Sequence, residues 1–225
     1  MIAQPFRLFR AFPELTTALF VKADAIQNDR MIADRMSMEN IAGLEQVHGN
    51  TTIRVEGPIA RTQQADGVIT NQCNLVLTVR TADCQSFVAY APMRGVIGVL
   101  HVGWRGLIAG AIPAFFAQLH KEWGITPQEV LMAAGPSLCT HCAEFTDPIA
   151  ELPAMDPVYF HGRHVDLRSA ADHQILALGV KPQHLERQAE CTCCQHNQYW
   201  TYRGGDRSAV KSGFANVLAC AIAER

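Results

Sequence analysis

Between Thr51 and Val102 the chain alternates short runs rich in Val, Ile, Leu and Thr with Gly, Pro, Asn and Asp: Thr51–Glu56, Gly67–Thr70, Leu75–Thr81, Ser86–Tyr90 and Val96–Val102. Runs of this length bounded by turn formers read as strands, and their close spacing predicts antiparallel pairing between neighbours. From Leu107 to Trp123 the apolar residues recur at helical spacing, with Gly124 as a C-cap and Pro113 expected to kink or delay the helix. Val130–Ala134 reads as a further strand leading into Gly135-Pro136, and Leu167–Leu178 as a second helix closed by Gly179 and Pro182. Strands followed by helices, twice over, predict an α+β fold, a single-domain sandwich of mixed, largely antiparallel β-sheet with flanking helices.

No repeat, low-complexity tract or linker interrupts the sequence, so residues 1–225 are read as one domain. With 225 residues, 48% of them apolar, the chain has ample material for a core. A net charge of -2, with Lys and Arg scattered, gives no electrostatic footprint for nucleic acid or an anionic membrane. A small molecule is the expected partner. Pro5, Arg7, Arg10 and Pro13 stand where a signal peptide needs an unbroken apolar stretch, and no other run reaches membrane-spanning length, so a cytoplasmic location is expected. In a reducing compartment the 8 cysteines serve metals, catalysis or packing rather than disulfides, and Cys73 and Cys220 read as packing residues.

Three side chains carry the chemistry. His48 follows Gln46-Val47 just before a strand, Cys84 follows Asp83 at the end of the Leu75–Thr81 run, and His101 is followed by the turn Gly103-Trp104-Arg105-Gly106. Neutral imidazole and thiolate suit borderline divalent metals, and three protein ligands leave a fourth position open, as in catalytic zinc sites. The carboxylate of Asp83 by itself raises the neighbouring thiol pKa, so a cation is needed to make Cys84 a thiolate. The glycine-flanked turn presents backbone N–H groups beside the Arg105 guanidinium, the chemistry that holds an anion such as phosphate.

The motifs QVHGN, ADGVIT, TADC, HVGWRG, GPSLC and WTYRGG, with the ligands spaced His-x35-Cys-x16-His, resemble the bacterial YfiH family. That family is also called the laccase-domain or multicopper polyphenol oxidase family and the peptidoglycan editing factor family. The resemblance runs from about Gln46 to the C-terminal strand; the chain differs at Cys142-Ala143-Glu144-Phe145, where the family carries a tyrosine, and at Thr201-Tyr202-Arg203-Gly204, where one arginine is replaced. It implies a zinc-dependent purine nucleoside enzyme, acting by phosphorolysis on adenosine, inosine and methylthioadenosine and by deamination on adenosine, with a metal-bound water or phosphate as nucleophile. The metal ligands it implies are His48, Cys84 and His101. Asp83, for proton transfer or for orienting a ligand, and Arg105, for phosphate, are the expected catalytic residues. Gln46, Trp104, Gly135 and Arg203 are expected to bind the substrate, a purine nucleoside with phosphate.

Other readings stay open. A copper-dependent, laccase-like polyphenol oxidase is allowed by a His2Cys set, but multicopper chemistry uses many more ligands, typically in His-x-His pairs, and the 9 histidines here include none. Cys84 with a histidine base describes a metal-free cysteine hydrolase. A non-enzymatic, zinc-stabilised module linked to peptidoglycan precursor editing is a further alternative. Cys139, Cys142, Cys191, Cys193 and Cys194 have spacings that permit a second, structural zinc site. Against it, a CxCC run is not a usual zinc knuckle and Cys139 follows a Gly-Pro turn, so these cysteines are expected to stay out of metal binding; His161 and His164 are read as surface residues.

Overall fold

The computed structural model describes residues 1–224 and builds them around two stacked β-sheets. The strands are β1 (Ile2–Ala3), β2 (Leu15–Phe20), β3 (Asn40–Ala42), β4 (Thr52–Arg54), β5 (Gly67–Thr70), β6 (Leu75–Thr81), β7 (Gln85–Ala91), β8 (Val96–Val102), β9 (Leu131–Ala134), β10 (Phe160–His161), β11 (His164–Val165), β12 (Leu185–Arg187) and β13 (Asn216–Ile222). The helices are α1 (Asp29–Met36), α2 (Trp104–Ile108), α3 (Ala111–Trp123), α4 (Pro148–Glu151), α5 (Leu167–Ala177) and α6 (Arg207–Lys211). One sheet has the order β1-β2-β13-β6-β3 and the other β12-β9-β7-β8-β5-β4, while β10 and β11 form a separate ribbon. Most pairs are antiparallel; β3–β6, β4–β5 and β9–β12 are parallel. The expected α+β sandwich of mixed, largely antiparallel sheet is thus the observed architecture.

Each sheet is buried on both faces, which is why its central strands read as continuous apolar runs rather than as alternating ones. Leu77, Val79, Leu218 and Cys220 of the first sheet meet Val68, Val88, Tyr90, Ile97 and Val99 of the second in the inner core. Phe87, Leu100 and Met132 face outward against Ile112, Phe115 and Phe116 of α3 and Ile175 of α5. Phe20, Val76 and Val217 are covered by Ile32 and Ala33 of α1. The result is a helix–sheet–sheet–helix stack, with every residue of β7, β8 and β13 buried.

The structure corrects the sequence reading in places that matter for the site. β6 and β7 follow one another but do not pair: β6 joins β13 and β3, whereas β7 joins β8 and β9. The chain crosses from one sheet to the other at Asp83, whose φ of 95° lies in the left-handed region that few non-glycine residues adopt. The expected helix from Leu107 is two helices broken at Gly110, whose φ of 78° turns the chain before α3. Pro113 falls in the first turn of α3, where a missing N–H costs little. Cys220 packs in the inner core as expected, but Cys73 is exposed beyond the strand end. His161 is exposed as expected, while His164 is only half-buried and stacks on His141 at 5.6 Å between ring centroids.

Candidate active site

The sheet crossing at Asp83-Cys84, the end of β8 and the loop at His48 converge on one cavity of about 930 Å³. Its floor carries His48, Cys84 and His101, whose ligating atoms all lie within 4.8 Å of one another. The three are graded from surface to interior: His48 is exposed, Cys84 half-buried and His101 only 2% exposed. The His48 and His101 rings meet edge to face with centroids 4.8 Å apart.

Asp66, at the start of β5, organises this floor. It is fully buried, and its carboxylate accepts the backbone N–H of His48 at 3.0 Å and of Gly49 at 2.6 Å. The same carboxylate lies 2.7 Å from His101 Nδ1, which keeps the proton there and leaves Nε2 for a ligand. His101 N–H also donates to the Asp66 carbonyl, at 2.7 Å. Burial pushes the Asp66 carboxyl up, but its bonds to His101, Gly49 and His48 outweigh this and hold it below the ordinary carboxylate range. The residue stands in the ADGVIT motif, yet nothing local to the sequence assigns it this role, because its partners are 17 to 35 residues away.

Asp83 is also committed. Its Oδ1 accepts the hydroxyls of Thr192 at 2.8 Å and Thr201 at 2.6 Å, and its Oδ2 accepts the N–H of Arg203 at 2.8 Å. A buried carboxylate so saturated holds the sheet crossing in place. Gly103, the N-cap of α2, makes room for the His48 and Cys84 side chains: a Cβ there would lie 2.9 Å from His48 Cδ2 and 3.0 Å from Cys84 Sγ. Its φ of -77° is open to any residue, so the need for glycine is purely steric. Gly103→Ala is expected to displace a ligand at a cost of about 1–3 kcal/mol. A zinc competition titration should read this as roughly tenfold weaker binding or more; unchanged affinity would show that the ligands are not held at these positions.

The walls supply cations and aromatic faces. Arg105 lies over the Trp104 ring at 4.2 Å and, among the described residues, its guanidinium has no hydrogen bond or ion pair. Trp104 meets Phe145 edge to face at 6.0 Å, and Arg203 lies over Phe145 at 5.3 Å while donating to the Glu144 carbonyl. Gln46 lines the cavity, but its amide is paired with the backbone of Arg80, donating to the carbonyl and accepting from the N–H, each at 2.8 Å. Gly135 is not part of the lining. Its N–H extends the β7–β9 ladder to the Ser86 carbonyl at 2.9 Å, and its missing Cβ makes room for the Ser86 hydroxyl.

Without a metal, the floor is an ion pair. Burial alone would raise the Cys84 thiol, but the charge and hydrogen bond of His101, with those of His48, bring it down to about 6. Burial opposes protonation of His101, but the Cys84 thiolate and Asp66 raise it to about 9. Between those values Cys84 is thiolate and His101 imidazolium. Iodoacetamide should therefore label Cys84 of chelator-treated protein with a pH midpoint near 6, followed by peptide mass spectrometry, and zinc should protect it. A midpoint in the ordinary thiol range would remove the ion pair.

The donor set fits a borderline divalent cation. Two imidazoles and a thiolate converge, one imidazole is oriented by a buried carboxylate, and only three protein ligands are present. Burial likewise raises Cys191, but the N–H groups of Cys194 and Cys139 bring it down to about 7 within a second group, formed with Cys139, Cys142 and Cys194. The Cys142 thiol is pushed up by burial and by its sulfur neighbours. Four of the five cysteines thus come together, a convergence the sequence reading did not expect, while Cys193 lies outside the group.

A two-sheet sandwich with an open imidazole–thiolate centre at the sheet crossing defines a laccase-like domain of the YfiH type. Residues 21–218 match the model of the family described as multi-copper polyphenol oxidoreductase laccase, and the chain belongs to that family. It is 28% identical over 166 residues to adenosine deaminase RL5 of an unknown prokaryotic organism, covering 68% of this chain but only 61% of that protein. It is 26% identical over 216 residues to purine nucleoside phosphorylase YlmD of Geobacillus stearothermophilus, covering 85% of this chain and 79% of that protein. The crystal structure of YlmD from the same organism superposes with a TM-score of 0.80 at 23% identity, over 96% of this chain and 94% of that one. That likeness concerns the fold. No helix among the described residues is long and apolar enough to cross a membrane.

Proposed function

We propose that residues 1–225 act as one catalytic domain, a zinc-dependent purine nucleoside enzyme. It would carry out phosphorolysis of adenosine, inosine and methylthioadenosine and deamination of adenosine. The observation that carries this reading is the open His48–Cys84–His101 centre on the floor of a cavity whose wall offers an uncommitted guanidinium and aromatic faces. The names of the relatives, purine nucleoside phosphorylase and adenosine deaminase, point the same way. Zinc held there would supply Lewis acidity to charge developing beside it.

The chain's own residues would do the rest. Arg105, preorganised by stacking on Trp104, would bind phosphate and orient an oxygen toward the ribose C1′ as the bond to the purine breaks. Trp104 and Phe145 offer ring faces for a flat base. Arg203 caps Phe145 and ties its loop to Asp83, so it would bind substrate and shape the wall together. Asp83, saturated by donors, would position Cys84 rather than carry a proton, and Gln46 would position the Arg80 segment of the wall. The protein would work in the cytoplasm, where nucleosides and phosphate are both at hand.

Zinc-loaded protein incubated with a panel of purine nucleosides, with and without phosphate, should release free base only when phosphate is present. Adenosine should also yield ammonia, and chromatography separates the products. No turnover of any purine nucleoside would sink the proposal. A laccase-like oxidase is disfavoured because, among the described residues, only two groups of three or more ligating side chains come together and only one contains histidine. The depressed Cys84 thiol keeps a second reading, a metal-free cysteine nucleophile. A chelator should abolish turnover and zinc restore it under the first reading; activity that survives chelation and ends on thiol alkylation would favour the second.

A further inference from the structure

The cysteines outside the active centre form a metal site of a different kind. Cys139 and Cys142 flank the turn that follows β9, and Cys191 and Cys194 flank the turn that follows β12, so each pair has the C-x-x-C spacing of structural zinc sites. β9 and β12 run parallel and side by side, which delivers both turns to the same end of the sheet. The four sulfurs lie within 4.8 Å of one another, with Cys142–Cys194 at 3.5 Å and Cys139–Cys194 at 3.9 Å. Sulfurs held ~2.3 Å from a tetrahedral zinc stand roughly 3.8 Å apart, a value that the 3.5 and 3.9 Å separations bracket. All are free thiols.

The surroundings are those of a thiolate cluster. The N–H groups of Cys139 and Cys194 point at Cys191 Sγ, at 3.2 and 3.5 Å, the arrangement that steadies a metal-bound thiolate. Arg168 donates to the carbonyls of Ser137, Ala189 and Glu190, which sets a half-buried cation beside a group that would carry net negative charge with zinc bound. Four protein ligands leave no position for substrate.

We propose that Cys139, Cys142, Cys191 and Cys194 bind a structural zinc that staples the turn after β9 to the turn after β12. The staple lies directly behind the active centre. Leu138 N–H donates to the Asp83 carbonyl at 3.1 Å, and the Thr192 hydroxyl donates to the Asp83 carboxylate at 2.8 Å, so both stapled turns grip the residue before Cys84. Along the backbone the two turns meet through a single parallel bridge at Ser137 and Cys191, with Ser137 N–H donating to the Glu190 carbonyl at 3.4 Å and Thr192 N–H to the Ser137 carbonyl at 3.2 Å, and segments with so little regular structure gain most from a metal that orders them. The site is independent of the nucleoside reading.

The test uses full-length protein purified under reducing conditions without chelator from zinc-supplemented cells, with zinc counted by plasma mass spectrometry. Wild type should hold about two zinc ions per chain, and a His48→Ala/Cys84→Ala variant about one. X-ray absorption at the zinc edge of that variant should show four sulfurs at ~2.3 Å and no nitrogen. Cys142→Ser/Cys194→Ser should lose one zinc and keep a nitrogen-containing shell; should that variant fail to fold, the count and absorption spectrum of the other protein decide. A His48→Ala/Cys84→Ala protein free of zinc would overturn the proposal, as would a nitrogen-rich shell or a mass loss showing a disulfide among the four cysteines. Failure of the nucleoside assay would leave these readouts unchanged.

Discussion

Replacing Cys84 with alanine is expected to lower nucleoside turnover by about 10³-fold, corresponding to several kcal/mol of lost stabilisation from the metal centre. Cys84 is the one sulfur donor of the proposed open site, and among the described residues the other cysteine cluster lies in a separate group. Its removal leaves two imidazoles, of which His48 is exposed. Zinc content should fall by about one ion per chain in parallel with turnover, while circular dichroism stays that of the folded protein. A Cys84→Ala protein that keeps its zinc and turns over within a few-fold of wild type would remove this residue from the site.

Asp66→Ala should damage both the fold and the metal site. The substitution deletes a fully buried acceptor and strands the N–H groups of His48 and Gly49 together with His101 Nδ1. Breaking a buried charged pair costs about 3–5 kcal/mol, to be read from denaturant midpoints. Releasing the orientation of a metal-binding histidine weakens metal affinity by about 10–100-fold, to be read by competition with a chelating dye. Asp66→Asn should fall between: one amide oxygen still accepts, but the NH2 group faces an N–H donor or His101. Wild-type zinc affinity in Asp66→Ala would mean that His101 is oriented by packing alone.

The strands from Gly67–Thr70 to Val96–Val102 were legible because each is a short apolar run between turn formers, and burial on both faces removes the alternation that would complicate them. The pairing was not legible. Neighbouring runs β6 and β7 look like a hairpin, but β6 pairs with β13, where Asn216 meets Thr81 across more than half the chain. Local propensity carries no information about a partner that distant. That His48, Cys84 and His101 act together was legible from residue type and spacing, and the three do converge, whereas the roles of their supports were not legible: Asp83 shows its saturation only once Thr192, Thr201 and Arg203 have been folded onto it. Gly135, named for the substrate, turned out to serve the sheet, because its N–H falls in register with Ser86.

What the sequence determined by itself is the material: apolar runs of strand length, helices closed by Gly124 and Gly179, and imidazoles and thiols set next to glycines or a carboxylate. These follow from side-chain chemistry and short-range periodicity, which a linear chain displays. Only the tertiary structure decided which ligands meet. The sheet crossing at Asp83 brings Cys84 beside His48 and His101, and the parallel pairing of β9 with β12 brings Cys139 and Cys142 to Cys191 and Cys194, with Cys142 and Cys194 separated by 52 positions in sequence. Metal coordination depends on distances of a few ångströms between side chains, and those are set by packing of whole sheets rather than by any local run of residues.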